Sequence, residues 1–305
     1  MRQPTKILSP SELEVYADSW RVALEAEGRP HTTRRVYLLA VRKLDEYLAS
    51  RGMPTGLSAI TAEHVREWQR ELLSRCAPGS VRLYHAALRA FFNWAVREGE
   101  VKASPLATVK PPSLPETPVR VLTLEELTAL VAICEKDDSF AGRRDAALVR
   151  FLVDTGCRLA EVTGLKRDAI DMRTGIVQVM GKGHRPRLVH LRPRTLRAVD
   201  RYLRRRAFQT HADVPPLWLS RTGPLTKSGI AQIIKRRAIQ AGIGADVHAH
   251  LLRHAFANEW LRAGGSEGNL MALGGWRSTT VMRRYAAAAA AERALEAHAQ
   301  MEEKL

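Results

Sequence analysis

Apolar residues return every three or four positions through most of the chain, the spacing of helices that bury one face. From about Thr32 to Ser50 the repeat is carried by Val36, Tyr37, Ala40, Val41, Leu44, Tyr47 and Leu48. From about Ser80 to Arg97 it is carried by Val81, Tyr84, Leu88, Phe91, Phe92, Ala95 and Val96. Ser9-Pro10-Ser11-Glu12 predicts an earlier helix start, with Ser9 as cap, Pro10 at the first position and Glu12 closing a capping box. A further helix is expected from near Thr61 to the turn at Cys76-Ala77-Pro78-Gly79. Four amphipathic helices joined by short turns make a small bundle with its aromatic residues in the core.

Ser104 to Val119 then holds Pro105, Pro111, Pro112, Pro115 and Pro118. Proline fixes φ and lacks an amide donor, so an extended, semi-rigid linker is expected there. A linker of this length could let two lobes close around something as wide as a duplex. Thr123-Leu124-Glu125-Glu126 opens the second domain with a capping box. Helices are predicted over about Leu124–Cys134 and Arg143–Asp154, with a short one after Arg158. Two strands, Ile176–Met180 and Arg187–Leu191, flank a turn in which glycines sit on both sides of Lys182. The remainder reads as helices over about Pro193–Phe208, Thr226–Ala241 and His250–Ala263, plus an alanine-rich tail after Tyr285. The fold class is therefore mainly α with a small antiparallel β-sheet: a helical domain at 9–103, a linker at 104–120 and a mixed α/β domain at 121–305.

Charge narrows the function. Lys and Arg number 48 against 32 Asp and Glu, a formal net charge of +16 that points to a polyanionic partner such as nucleic acid. Ten basic residues and one acid, Asp200, lie between Lys182 and Arg206. Cys76, Cys134 and Cys157 have no disulfide or metal spacing and read as small buried hydrophobes in a reducing cytosol. The N-terminus lacks a signal-peptide core, and no apolar run reaches membrane-spanning length, so a cytoplasmic protein without membrane contact is expected.

The candidate chemistry is concentrated late in the chain. His250 and Arg253 share a helix face, and Tyr285 follows Trp276 by nine residues. Upstream, Thr155-Gly156-Cys157-Arg158-Leu159-Ala160-Glu161 places a second arginine at a helix start, and Gly181-Lys182-Gly183 places a lysine at a hairpin tip. Cutting a phosphodiester with tyrosine requires groups of these kinds. A phenol with pKa near 10 costs roughly 4 kcal/mol to ionise at pH 7, the phosphorane oxygens match guanidinium forks, and the leaving 5′-oxygen needs a proton.

This ordered set resembles the tyrosine recombinase (phage integrase) family over most of the chain, from about Ser9 to Tyr285. The resemblance is diffuse in the first domain and specific in the second. It implies that the first domain binds DNA and that the second is catalytic, in the two-domain layout of Xer-type members, with no arm-binding domain before Ser9. Arg158 and Arg253 would hold the non-bridging oxygens, Lys182 would act as general acid and His250 would assist proton transfer at the tyrosine. Trp276 would donate its indole N–H, and Tyr285 would become linked to a 3′-phosphate. No cofactor or metal is implied. The partners would be double-stranded DNA and other subunits of a homo- or hetero-tetramer, which the C-terminal helix could join.

One position departs from the family pattern. The usual Leu-Gly-His is replaced by Leu273-Gly274-Gly275-Trp276. Counting from the leucine selects Gly275; counting back from the tyrosine selects Trp276, the choice made here because distance to the nucleophile is what the site constrains. Tryptophan donates but carries no proton, which leaves acid–base duty to His250 and Lys182. His248, His250 and His254 could instead form a metal site, but Leu251 and Leu252 stand where a zincin pattern needs glutamate, and Arg253 would repel a cation. Three other functions remain open on these residues alone: relaxation of supercoils by a type IB topoisomerase, a catalytically silent DNA-binding regulator, and a phosphate-ester hydrolase.

Overall fold

The computed structural model describes residues 10–114, 120–181, 183, 185–276 and 298. The chain divides into two compact units, Met1–Pro118 and Val119–Leu305.

The first unit contains α1 (Glu12–Ala26), α2 (His31–Ser50), α3 (Ala62–Arg75) and α4 (Pro78–Arg97). The start of α1 lies two residues beyond the expected position. Ser11, not Ser9, is the cap: its Oγ accepts from the Glu14 amide at 3.1 Å while Glu14 reaches back to the Ser11 amide. Ser9 itself lies outside the described residues. Ser11 also donates to the buried Asp45 on α2 at 2.7 Å, which ties the two helices and explains the preference for the second serine. The core is Leu13, Trp20, Leu44, Leu48, Trp68, Leu88, Phe91 and Phe92, so the large aromatics are packing residues. Leu106 and Val109, within the expected linker, are buried in this same core. The Lys110 and Pro112 carbonyls also accept from Gln69 and Arg82, so this stretch lies along the bundle.

The second unit contains α5 (Leu124–Glu135), α6 (Phe140–Thr155), α7 (Leu159–Thr163), β1 (Ile176–Met180), β2 (Pro186–His190), α8 (Pro193–Arg206), β3 (Leu219–Ser220), β4 (Gly223–Pro224), α9 (Lys227–Gln240), α10 (Ala249–Arg262) and α11 (Glu267–Gly274). It is thus mainly helical and, among the described residues, has two separate two-stranded antiparallel sheets where one was expected. α6 is the central element and buries Ala147, Leu148, Val149, Phe151 and Leu152. β1 and β2 pair with Val179 opposite Arg187 and Met180 opposite Pro186. Val177, Val179 and Val189 face inward, while Ile176, Met180 and Leu188 face solvent, the alternation a half-buried hairpin demands.

The basic run over 182–206 is not one surface. Arg206 is 1% exposed and donates to the carbonyls of Ala212, Val214, Pro216 and Leu217, holding the loop after α8 against the core. Arg187 is also turned inward, and Arg192 and Arg204 pair with Asp154 and Asp200. Arg185, Arg194, Arg197, Arg201 and Arg205 remain exposed. Cys134 and Cys157 are buried as expected, whereas Cys76 is only half-buried. Among the described residues, no helix is long and apolar enough to cross a membrane.

Candidate active site

α6 ends at Gly156, whose φ of 57° is left-handed and suits glycine. A β-carbon there would also collide with the Phe256 ring. This reversal delivers Arg158 to the N-cap of α7, where its amide donates to Glu161 Oε2 at 2.7 Å. The Arg158 guanidinium reaches Glu161 Oε1 at 3.0 Å and the Gly275 carbonyl at 2.6 Å. Its side chain stays 39% exposed, so part of the fork faces outward.

α10 begins at His248, whose Nδ1 accepts from the Leu251 amide. Arg253 points inward from this helix and is 2% exposed. It donates to the carbonyls of Gly156 at 2.6 Å and Gly274 at 2.7 Å, and its guanidinium carbon lies 3.6 Å from the centre of the Trp276 ring. Burial, then the charge of Arg158, pull its pKa down to about 9, so it remains cationic at neutral pH and would gain from an anionic partner. His250 is exposed, and its ring meets that of His254 edge to face at 4.4 Å. Desolvation, then the charges of Arg253, His248 and Arg158, hold His250 below the ordinary histidine value and therefore neutral at pH 7.

α11 was not expected from the sequence. Gly264-Gly265-Ser266-Glu267-Gly268 holds three glycines, yet the Ser266 hydroxyl caps a short helix by accepting from the Asn269 amide. Its C-terminal end organises the site. The carbonyls of Leu273, Gly274 and Gly275 accept from Arg187, Arg253 and Arg158 respectively, at 2.7, 2.7 and 2.6 Å. A helix end carries unpaired carbonyls and partial negative charge, so three like-charged forks can converge on it. Both candidates for the fifth position touch an arginine: the Gly275 carbonyl lies on Arg158, and the Trp276 ring covers Arg253.

Of the six residues selected from the sequence, Arg158, His250, Arg253 and Trp276 are described, and Arg158, Arg253 and Trp276 meet at the end of α11. Lys182 and Tyr285 lie outside the described residues, although the turn that carries Lys182 is closed by the Gly181 amide on the Arg185 carbonyl at 2.8 Å. Arg187 was missed as a member of the site. The strand period held the signal, because Arg187 shares the inward face with Val189, and a buried arginine requires an acid. That acid is Glu161.

Arg158 is held by Glu161 and the Gly275 carbonyl with part of its fork open to solvent, and Arg253 is held by two carbonyls, a pairing of planar cations whose geometry suits an oxyanion. Residues 120–292 match the phage integrase family, and residues 17–99 match the phage integrase N-terminal SAM-like domain. The chain is 32% identical over 283 residues to tyrosine recombinase XerC of Myxococcus xanthus, covering 90% of this chain and 93% of that one. It is 31% identical over 271 residues to tyrosine recombinase XerD of Bifidobacterium longum, covering 85% and 87%. In fold it is similar to the XerH site-specific recombinase in a post-cleavage complex with a palindromic difH substrate, with TM-score 0.76, 19% identity and coverage of 94% and 85%. The chain belongs to the phage integrase family and is a site-specific recombinase, an enzyme that cleaves and rejoins DNA strands.

Proposed function

We propose that Tyr285 attacks a phosphodiester of duplex DNA held by Arg158 and Arg253. The phenolic oxygen bonds to phosphorus as the bond to the 5′-oxygen breaks, giving a 3′-phosphotyrosine and a free 5′-hydroxyl. The phenolic proton passes toward His250, and Lys182 supplies the proton taken up by the 5′-oxygen. The reverse sequence, with a 5′-hydroxyl of another strand as nucleophile, rejoins DNA without any external energy source. Trp276 donates to a non-bridging oxygen and keeps water from the buried side of the phosphate. The observation that supports this reading is the convergence of Arg158, Arg253 and Trp276 on one helix end from three separate parts of the sequence.

The implied assembly is a tetramer on DNA in the cytoplasm, with the first unit and the exposed arginines of the second contacting phosphates. If six to ten such contacts form, affinity falls about 10³–10⁵-fold between 50 and 200 mM salt. The alanine-rich tail after Tyr285 docks on a neighbouring subunit. A groove of about 1010 Å³ in the second unit, lined by Leu127, Val131, Val153, Phe256 and Trp260, suits an apolar helix, and Arg194 and Arg197 on its border suit Glu292 and Glu296 of the tail.

The test begins with covalent capture from a randomised, nicked duplex pool, which both identifies the site and detects the linkage. The native protein forms a denaturant-resistant adduct, and Tyr285→Phe binds the same duplex without forming one. A bound duplex that never becomes linked to the native protein would sink this reading. Paired sites on a plasmid separate recombination from simple relaxation, which needs only one.

A further inference from the structure

Glu161 is the carboxylate on which the site is built, and two arginines share it. Its side chain is 3% exposed, and its two oxygens accept four N–H donors. Arg158 supplies its amide and one guanidinium nitrogen, while Arg187 supplies a bidentate pair at 2.7 and 2.8 Å. The remaining direction of the Arg187 fork is also used, since Nε donates to the Leu273 carbonyl at 2.7 Å. The Arg187 side chain is 13% exposed, against 39% for Arg158.

The two cations therefore do different work. Arg187 meets Glu161 through the two-bond geometry in which a guanidinium best neutralises a carboxylate. Arg158 meets it through one guanidinium nitrogen and keeps its other nitrogens for Gly275 and for the solvent side. Without Arg187, a buried carboxylate would face one cation only, and that cation would be drawn into the vacated two-bond arrangement. Arg158 would then be turned away from a phosphate.

We propose that Arg187 is a positioning residue for strand cleavage: it saturates Glu161 so that Arg158 stays available to the phosphodiester. It also joins β2, the strand that follows the Lys182 turn, to the end of α11 next to Trp276. This inference rests on the recombinase reading above.

The test uses the full-length protein and a nicked duplex carrying the sequence enriched by covalent capture. Adduct formation is followed in single turnover at saturating protein. Arg187→Gln should slow it about 100-fold, the loss typical of removing one charge-stabilising element, while duplex affinity stays near that of the native protein. Adding Glu161→Gln to Arg187→Gln should restore the rate by about 10-fold or more, because no carboxylate is left to capture Arg158. A purely structural role predicts the opposite, since the second change removes further hydrogen bonds. Native-like cleavage by folded Arg187→Gln overturns the proposal, and so does a loss that Glu161→Gln deepens or leaves unchanged. Arg187→Lys keeps the charge but not the fork and covers the case in which the glutamine variant does not fold; native-like cleavage by this variant also overturns the proposal. A native protein that binds the duplex without forming an adduct overturns the recombinase reading itself, a distinct result.

Discussion

Arg253 lies flat against Trp276, its guanidinium carbon 3.6 Å from the ring centre. A desolvated contact of this kind contributes about 2 kcal/mol and uses the face of the cation, leaving its edge for hydrogen bonds. The tryptophan thus orients the arginine without competing for its N–H donors.

Gly274 makes that stacking possible, because a β-carbon there would collide with the six-membered ring of Trp276. Gly274→Ala should displace the indole and shift its fluorescence. Strand cleavage should fall about 100-fold from the misplacement, with duplex binding retained. Unchanged cleavage would show that the indole can move without consequence.

The pH profile of cleavage follows from His250. A proton acceptor must be neutral, and its surroundings hold it below the ordinary 6.5. Single-turnover cleavage should therefore decline on the acid side with a midpoint below 6.5, as the ring becomes protonated. His250→Gln should slow the reaction about 10²–10⁴-fold and abolish that acid limb.

Stability has its own acid limb. Burial, then the neighbouring His250, His248 and Arg253, lower the His254 pKa to about 4. Between 6.5 and 4 the unfolded chain binds a proton that the folded protein refuses, so stability falls as pH drops through this window. Allowing for the partial exposure of His254, the loss is about 2 kcal/mol. Thermal unfolding at pH 7 and pH 5 should show it, and His254→Gln should reduce the slope.

Arg206 offers a check on the second unit that is independent of the chemistry. It satisfies four carbonyls of one loop from a buried position, beside a Tyr202 hydroxyl that donates to Leu217 and accepts from the Leu219 amide. Arg206→Met should strip this donor from the Ala212, Val214 and Pro216 carbonyls, Leu217 keeping Tyr202, and cost about 3 kcal/mol in denaturant unfolding.

How much of this was legible in the sequence depended on the strength of each local signal. α2, α3 and α4 have long apolar repeats and the β1–β2 hairpin has two valine-containing runs across a glycine turn, and their limits fell within a residue or two of those expected. The cap of α1 did not, because Ser9 and Ser11 are equally good caps locally and only Asp45, 34 residues away from Ser11, distinguishes them. α11 was invisible for a similar reason: eight residues with glycines at both ends have little intrinsic preference for helix, and the three arginines that hold its carbonyls come from elsewhere. Arg158 and Arg253 could be picked out by motif. Arg187 could not, since its role exists only where the hairpin, α7 and α11 meet.

The partners of Arg253 carry a final implication. Its hydrogen bonds go to the main-chain oxygens of Gly156 and Gly274 and its face to an indole, so nothing it touches there brings a full negative charge. Among the described residues Glu161 favours this cation without a direct ion pair to it, in surroundings that solvate it poorly. If Arg253 holds a phosphodiester as proposed, loading the site should raise the melting temperature of the second unit by more than surface binding would. Binding of that kind would relieve a desolvation cost that folding alone leaves in place.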